Sequence, residues 1–322
     1  MKRAFVTGGS GFVGRELIRE LVARGVETVA MARSDAAVET VMQLGATPAR
    51  AELTEAPDID AIHGAMQGCD VVFHAAALVK DHGKLHEFLV VNVGGTKTLL
   101  GCARHAGVSR FVHIGTEAVL ADGHPIVRAD ETRPYPKRLA GPYPISKAAA
   151  ERAVVKANAE GFATVVVRPR FIWGKGDTSV LPKLVDAVKR KRFAWIDGGH
   201  YLTSTCHVAN VVEGALLAAE RGTPGAIYFL TDGEPVELRG FITKLLATRG
   251  LDPGTREVPR WAARSVAALT RWMANPPVTR AALALVGTEV TVVDAKARRE
   301  LGYRGHQSIE AGLDEMRAEM PG

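Results

Sequence analysis

The stretch Thr7-Gly8-Gly9-Ser10-Gly11-Phe12-Val13-Gly14 joins a short apolar segment, Arg3–Thr7, to a segment with helical apolar spacing, Phe12–Arg24. Glycine permits a sharp turn from strand to helix, and it lets a pyrophosphate reach the backbone N–H groups at the helix N-terminus. The Gly-x-x-Gly-x-x-Gly spacing differs by one residue from the Gly-x-Gly-x-x-Gly dinucleotide pattern, and the alternative is a turn that only packs helix on strand. The stretch predicts a dinucleotide site formed by Gly8, Ser10, Gly11, Phe12, Val13 and Gly14.

Outward from this turn, short buried strands alternate with helices, which is typical of a parallel sheet covered on both faces. The predicted strands are Arg3–Thr7, Thr28–Ala32, Val71–His74, Arg110–Gly115, Ala163–Val167 and Ala226–Leu230. The predicted helices are Phe12–Arg24, Ala36–Leu44, Phe88–His105, Ser146–Asn158, Val208–Ala219 and Trp261–Met273. We expect an α/β, Rossmann-type doubly wound parallel sheet with a smaller, mostly helical lobe over the substrate. Residues 1–174 and 205–232 would form the dinucleotide-binding domain, and 175–204 and 233–322 the lobe.

The composition excludes several classes of protein. The 322 residues are 47% hydrophobic, without an apolar run long enough to span a bilayer or a secretory signal. Three widely spaced cysteines, Cys69, Cys102 and Cys206, suggest neither a disulfide framework nor a metal site, so we expect a cytoplasmic protein. The net charge is +6, and its densest run, at 189–192, is interpreted as a solvated helix end. No nucleic-acid motif accompanies it, so no nucleic-acid partner is expected.

The end of the second predicted strand bears on the choice of dinucleotide. An acidic residue about 20 residues after the glycines would bind the free ribose 2′-hydroxyl of NAD. Here Arg33 stands near that position, and its guanidinium suits a 2′-phosphate. We therefore predict NADP(H) rather than NAD(H). The alternative is that Arg33 stacks on the adenine or caps a loop.

A second fragment, Tyr143-Pro144-Ile145-Ser146-Lys147, predicts proton chemistry. Residues four apart share a helix face, so we expect the Lys147 ammonium to lower the pKa of the Tyr143 phenol. Tyr143 would then act as general acid or base on a substrate oxygen. Thr116, just past the strand Arg110–Gly115, would orient that oxygen at the carboxyl edge of the sheet. Most isolated Tyr-x-x-x-Lys pairs are surface residues, and it is the conjunction of the three features that favours catalysis.

In these motifs the chain resembles extended short-chain dehydrogenases/reductases, the NAD(P)-dependent epimerase/dehydratase-like group. Thr7 to Gly14 match the family motif Thr-Gly-x-x-Gly-x-x-Gly, and Gly68 to Ala76 match the motif of its fourth strand. Asn92 to Thr96 match Asn-Val-x-Gly-Thr, and Thr116 to Val119 match Ser/Thr-x-x-Val. Arg168 to Gly174 match Arg-Pro-x-x-x-Tyr-Gly, with Trp173 in place of the tyrosine. The resemblance implies further cofactor contacts from Glu52, Leu53, Ala75, Ala76, Ala77, Asn92, Tyr143, Lys147, Pro169, Phe171 and Ile172. It also implies that Lys147 binds the ribose, that Asn92 supports the site, and that a homodimer forms through the helices containing Asn92–Cys102 and Tyr143–Val155.

Departures from the family pattern narrow the substrate. Glu52 replaces the usual adenine-binding Asp, and Thr203 stands where sugar-nucleotide members carry a phosphate-binding arginine. The chain is therefore most similar to the 3β-hydroxysteroid dehydrogenase-like and dihydroflavonol reductase-like branches, which implies a ketone–alcohol oxidoreductase on a relatively apolar small molecule. Nucleotide-sugar epimerisation or dehydration with transient oxidation is the second hypothesis. A non-catalytic dinucleotide sensor is the third, and it would not need Tyr143 and Lys147.

The substrate is expected between the nicotinamide and the lobe. Its candidate lining residues are Val119, Phe171, Val180, Leu181, Thr203 and His207. Two of them, Val180 and Leu181, equally suit core packing, and His207 suits a helix start. The basic amphipathic stretch Trp261–Met273 could lie on a membrane, cover the pocket or pack in a dimer.

Overall fold

The structure, a computed structural model, describes residues 1–54, 58–80, 83–270, 272–273 and 278–318. Its strands are β1 Arg3–Thr7, β2 Glu27–Ala32, β3 Thr47–Arg50, β4 Val71–His74, β5 Arg110–Ile114, β6 Ile126–Ala129, β7 Ala163–Pro169, β8 Ile172–Trp173, β9 Trp195–Ile196, β10 Leu202–Thr203, β11 Cys206–His207, β12 Ile227–Leu230, β13 Val236–Glu237, β14 Glu257–Val258 and β15 Val290–Val292.

The α-helices are α1 Phe12–Ala23, α2 Asp35–Gln43, α3 Ile59–Met66, α4 Leu85–Phe88, α5 Gly95–His105, α6 Pro142–Lys156, α7 Leu181–Lys189, α8 Val208–Arg221, α9 Leu238–Ala247, α10 Arg260–Leu269, α11 Arg280–Val286, α12 Ala295–Leu301 and α13 Ile309–Arg317. A π-helical segment, Leu89–Gly94, joins α4 to α5, and short 3₁₀ segments cover Glu117–Leu120 and Asp197–Gly199. Within the described ranges, no helix is both long enough and apolar enough to cross a membrane.

The main sheet confirms the predicted fold class. In the described part of the chain, seven strands pair in the order β12-β7-β5-β4-β1-β2-β3, and all the pairings are parallel. The chain winds outward in one direction from β1 through β3 and in the other from β4 through β12. The strand order therefore reverses between β1 and β4, and ligands of such sheets bind at the carboxyl ends beside this reversal.

Helices cover both faces of this sheet because both faces are apolar. On one face, α1, α8 and α12 pack on the strands through residues such as Leu17, Leu216 and Leu301. On the other, α3, α5 and α6 pack through residues such as Ile62, Leu99 and Val154. Burying both faces explains why the central strands are continuous apolar runs.

A second lobe stands beyond the carboxyl edge of the main sheet. It has its own core, which includes Trp173, Trp195, Phe241 and Leu245, and a small sheet in the order β13-β10-β15-β6. Two segments lie elsewhere than the predicted division places them. The strand β6 belongs to the small sheet, and α12 packs against α8 and β12 of the main sheet.

Other differences from the sequence prediction are local. The edge strand β3 is additional, and its half-exposed residues Thr47–Arg50 give no apolar pattern. The predicted helix Phe88–His105 is interrupted by the π-helical segment around Asn92. The predicted helix Trp261–Met273 covers only Arg260–Leu269, with Trp272 and Met273 in a turn and Arg271 outside the described residues.

Candidate active site

The glycine turn brings two strand ends into close contact. Gly8 has a φ of +69°, and a Cβ on it would lie 2.8 Å from the Ala76 nitrogen. A Cβ on Gly14 would lie 2.0 Å from the Gly8 carbonyl oxygen, which also accepts a hydrogen bond from the Gly11 nitrogen at 2.9 Å. Ser10 and Gly11 are exposed at the tip of the turn. Only glycine at these positions allows helix, turn and the segment after β4 to approach this closely.

The same turn fits a dinucleotide pyrophosphate. The helix α1 begins with Gly11 as its N-cap, without a side-chain cap and without an acidic residue in its first turn. The first-turn N–H groups of Phe12, Val13 and Gly14 therefore have no side-chain partner, and the positive end of the helix dipole is not offset. An anionic group placed there meets backbone donors at close range.

The predicted adenosine residues lie together at the ends of β2 and β3. Arg33 is exposed, and its Nη1 lies 3.7 Å from Glu52 Oε2. The other oxygen of Glu52 accepts hydrogen bonds from the Leu53 nitrogen at 2.7 Å and the Thr54 hydroxyl at 2.8 Å. The guanidinium is thus held only loosely, by one exposed ion pair, which contributes little to stability.

The loop after β4 is anchored by buried polar side chains. Thr7 Oγ1 accepts a hydrogen bond from the Ala76 nitrogen at 3.2 Å and shares another, at 2.8 Å, with His74 Nδ1. Asn92 Oδ1 accepts from the Leu78 nitrogen at 2.7 Å, and Asn92 Nδ2 donates to Ser146 Oγ at 2.9 Å. The segment holding Ala75, Ala76 and Ala77 is therefore tied to β1 and to α6. Asn92 lies in the π-helical segment Leu89–Gly94, and π-helical turns are common at functional sites.

The fragment with Tyr143 and Lys147 opens α6. The helix begins at Pro142, four residues before the predicted start at Ser146, and proline suits the first turn because an N–H at that position would have no helical partner. Tyr143 and Lys147 are therefore one turn apart on the same face. Lys147 is buried, and its Nζ donates to the Ile114 carbonyl oxygen at 2.9 Å and lies 3.4 Å from His113 Nε2.

The hydroxyl of Thr116 lies between Tyr143 and a buried carboxylate. Thr116 caps the 3₁₀ segment after β5, where its Oγ1 accepts from the Ala118 nitrogen at 3.2 Å. The same Oγ1 donates to Glu117 Oε2 at 2.8 Å, and Thr116 also acts to lower the pKa of the nearby Tyr143 phenol. Glu117 in turn accepts from Arg170 Nη1 at 2.9 Å, and Arg170 Nη2 donates to Thr203 Oγ1 at 3.2 Å.

Burial and charge set the protonation of these groups. Burial and the charge of Glu117 raise the pKa of Tyr143 above its ordinary value, and the Thr116 hydrogen bond opposes this rise. Burial lowers the pKa of Lys147 to about 8, partly opposed by Glu151. The expected lowering of the Tyr143 pKa by Lys147 is therefore not found, because burial prevails and Lys147 Nζ points to the end of β5. Burial also lowers the pKa of His113 well below its usual range.

Comparison with protein-family models identifies the family of this chain. The model of the 3-beta hydroxysteroid dehydrogenase/isomerase family matches residues 5–260. The chain belongs to this family. Membership makes it an oxidoreductase that acts between hydroxyl and carbonyl groups and uses a nicotinamide dinucleotide.

Relatives of this 3-beta hydroxysteroid dehydrogenase/isomerase family protein span its full length. The 4-hydroxy-2-methyl-3-oxo-4-farnesyl-3,4-dihydroquinoline-1-oxide ketoreductase of Stigmatella aurantiaca is 52% identical, with 99% of this chain and 97% of the relative covered. The 2-alkyl-3-oxoalkanoate reductase of Stenotrophomonas maltophilia is 33% identical, with 98% of each covered. The solved structure of DesIV, a dTDP-glucose 4,6-dehydratase from Streptomyces venezuelae with NAD and TYD bound, shares the fold at a TM-score of 0.76 and 23% identity, covering 98% and 96% of the two chains.

The predicted substrate residues of this family member lie in different surroundings. Val119 and Leu181 are buried in apolar clusters, and Val180 packs on the core of the second lobe. His207 is also buried, where its Nδ1 caps α8 by accepting from the Ala209 nitrogen at 3.2 Å. Thr203 alone among them bonds to the network around Thr116, through Arg170.

Three of the predicted cofactor residues follow β7 and lead into the second lobe. Pro169 ends β7, and Ile172 begins β8. Between them, Phe171 has a φ of +45° and packs its ring on Phe241 at 5.7 Å. A bulky residue in the left-handed region is strained, and such strain occurs at ligand sites.

Sequence reasoning missed Glu117, Arg170, His113 and Ser146. The signal available for the first two was charge at the ends of apolar strands. Glu117 follows the threonine after β5, and Arg170 follows the proline that ends β7. Since β5 and β7 are neighbours in the sheet, residues just beyond their carboxyl ends meet.

Proposed function

We propose that the chain interconverts a ketone and a secondary alcohol on an apolar small molecule, with NADP(H) as cofactor. The observation that carries this proposal is the contact that holds the first turn of α6, with Tyr143, at the carboxyl end of β5 near Thr116, where Lys147 Nζ donates to the Ile114 carbonyl oxygen at 2.9 Å. It lies on the same edge as the glycine turn that fits a pyrophosphate. The farnesyl group in the name of the Stigmatella aurantiaca relative, which is 52% identical, supports an apolar substrate.

The residues of the site have separate roles in this proposal. The bound nicotinamide would supply or accept the hydride. Tyr143 is protonated at neutral pH because its pKa is raised, so it donates its proton to a ketone oxygen. Thr116 orients that oxygen. Lys147, one turn further along α6, would donate to the nicotinamide ribose.

A carbonyl panel with NADPH tests this reaction. The panel contains steroids, aromatic ketones, β-keto esters and prenylated heterocycles, and each is assayed by loss of NADPH absorbance. Net oxidation of NADPH distinguishes a ketoreductase from an epimerase, which returns the hydride to its substrate and leaves the cofactor unchanged. Tyr143→Phe is expected to lower kcat/KM by 100-fold or more, the order of a general-acid contribution. Tyr228→Phe removes a phenol on the outer strand β12 that is hydrogen-bonded to Glu300 and to the Thr223 nitrogen, and it is the matched control. Full turnover by Tyr143→Phe would reject the assignment.

The preference for NADP(H) is proposed from Arg33. Its guanidinium is exposed and held only by Glu52 at 3.7 Å, so it is free to turn to a 2′-phosphate. We expect kcat/KM with NADPH to exceed that with NADH by at least tenfold, about 1.4 kcal/mol, and Arg33→Ala to remove the difference. Arg19→Ala, on the exposed side of α1, should leave the ratio unchanged. Equal efficiency with both cofactors in the wild type would reject this preference.

Two surfaces are proposed for partners. The first is the α5–α6 face, through which a homodimer would form, and the solution mass from light scattering tests it. The second is the outer face of α10, where Trp261 and Leu269 are each 71% exposed, together with Trp272 in the turn that follows, which is 80% exposed. This face is the proposed point of contact with a lipid surface. Retention on anionic vesicles at physiological salt, lost in Trp261→Ser/Leu269→Ser, supports the contact, and no retention removes it.

A further inference from the structure

The hydroxyl of Thr116, which would orient the substrate oxygen, is hydrogen-bonded to a buried ion pair. Glu117 and Arg170 are each 3% exposed. Glu117 Oε2 accepts from Thr116 Oγ1 at 2.8 Å, and Glu117 Oε1 accepts from Arg170 Nη1 at 2.9 Å. The carboxylate therefore stands between the catalytic hydroxyl and the guanidinium in the chain of hydrogen bonds.

The guanidinium of Arg170 is occupied by groups of its own chain. Its Nη2 donates to Thr203 Oγ1 at 3.2 Å and to the Leu285 carbonyl oxygen at 2.5 Å. That carbonyl is in the last turn of α11, where the helix dipole presents partial negative charge. Arg170 thus meets one full and one partial negative charge, so little of its own charge is left for a substrate anion.

The neighbouring buried arginine is neutralised in the same way. Arg168 Nε donates to Glu151 Oε2 at 2.9 Å and Arg168 Nη2 to Glu151 Oε1 at 2.5 Å, a two-point contact. Both arginines that flank Pro169 are therefore matched by a carboxylate.

We propose that the Glu117–Arg170 pair makes this site selective for ketones and alcohols without a carboxylate next to the reacting carbon, and that Glu117 is the residue that excludes β-keto and β-hydroxy acids. The inference rests on the proposed function, because it takes the reacting oxygen to lie against Tyr143 and Thr116. Because Glu117 and the Leu285 carbonyl oxygen already neutralise Arg170, a substrate carboxylate beside the reacting carbon would lose its water without gaining a guanidinium partner, which disfavours binding by about tenfold or more.

The proposal makes Glu117→Gln a switch of substrate charge. With the negative charge removed, Arg170 is left unpaired beside the site and attracts an anion. In the double variant Glu117→Gln/Arg170→Gln both charges are gone, so the site is neutral again and the discrimination of the wild type returns. The double variant also leaves no unpaired buried charge, whereas Glu117→Gln alone leaves Arg170 unpaired and is therefore expected to destabilise the fold more.

A 3-hydroxy acid and its methyl ester, oxidised with NADP⁺, form the matched substrate pair. The readout is the ratio of kcat/KM for ester over acid, in which a general loss of activity cancels. We expect a ratio of at least ten in the wild type, a ratio below one in Glu117→Gln and a ratio close to the wild-type value in the double variant. Glu213→Gln removes a carboxylate on α8 and serves as the control that keeps the wild-type ratio. Melting temperatures check folding, and if Glu117→Gln does not fold, the dissociation constants of acid and ester for the wild type decide the matter.

Binding separates this inference from the proposed function. Dissociation constants of both compounds are measured by calorimetry on the NADP⁺ complex. Ester binding at least tenfold tighter without turnover would reject the proposed reaction and support the selectivity. Turnover with equal rates for acid and ester, an unchanged ratio in Glu117→Gln, or no binding of the ester would overturn the selectivity.

Discussion

Replacing Lys147 with methionine should make the fold more stable while it removes activity. Lys147 is 3% exposed, and burial lowers the pKa of its ammonium to about 8 from an ordinary 10.5. The unfolded chain therefore binds a proton more readily than the folded chain between these two values. By linkage, the contribution of this group to stability rises with pH through that window and is at its most unfavourable below pH 8.

The magnitude follows from the two pKa values. A difference of 10.5 against about 8, at 1.36 kcal/mol per pH unit, amounts to about 3 kcal/mol of destabilisation at pH 7. Methionine avoids this penalty but loses the hydrogen bond to the Ile114 carbonyl oxygen, a loss of about 1 kcal/mol. We expect Lys147→Met to be about 2 kcal/mol more stable than the wild type at pH 7 and about 1 kcal/mol less stable above pH 10.5.

Urea unfolding of both proteins from pH 6.5 to 11 measures the difference in the free energy of unfolding. The difference between the two curves is the readout, because burial raises the pKa of Cys69 to about 11, and this thiol changes stability in the opposite sense in the same window. Lys156→Met is the matched control, since Lys156 is exposed on the same helix, and its effect should stay within about 0.5 kcal/mol. A Lys147→Met protein that is less stable at pH 7, or a difference that does not change with pH, would refute the reasoning.

Three further outcomes follow from the geometry. Gly14→Ala would place a Cβ 2.0 Å from a turn carbonyl, so the dissociation constant for NADPH should rise at least tenfold by fluorescence titration, while Gly101→Ala, with open space around it, should not change it. Asn92→Ala removes three buried hydrogen bonds and should lower the free energy of unfolding by about 3 kcal/mol in urea. Because the charge of Glu117 raises the pKa of Tyr143, alcohol oxidation should rise with pH, and Glu117→Gln should move that rise to lower pH in a kcat/KM profile.

The sheet and the glycine turn were predictable because their causes are local. Gly8 and Gly14 tolerate no side chain, and the apolar runs of the strands follow from burial on both faces. The spacing of Tyr143 and Lys147 likewise sets their common helix face without reference to the rest of the chain. These features depend on neighbours within a few residues or on a single strand-to-helix joint.

The charges around the Thr116 hydroxyl could not be predicted in this way. Glu117 and Arg170 are 53 residues apart, and they meet only because β5 and β7 are adjacent in the sheet. The direction of the Lys147 side chain also depends on packing, because its Nζ is bonded to the end of β5. A pattern of residue types gives the spacing of two groups, but the pKa of each depends on how deeply the whole fold buries it.

The burial of the site has a consequence for the direction of the reaction. Tyr143 is half-buried near Glu117 and is protonated at neutral pH, and if it is the general acid, ketone reduction needs that form, so no group has to change its protonation first. Alcohol oxidation needs the phenolate, which burial and Glu117 both disfavour, and Lys147 itself loses its charge above a pH of about 8. The residues of the site therefore favour reduction at neutral pH. Oxidation depends on positive charge that the oxidised nicotinamide brings, so its rate should depend on pH more steeply than the rate of reduction.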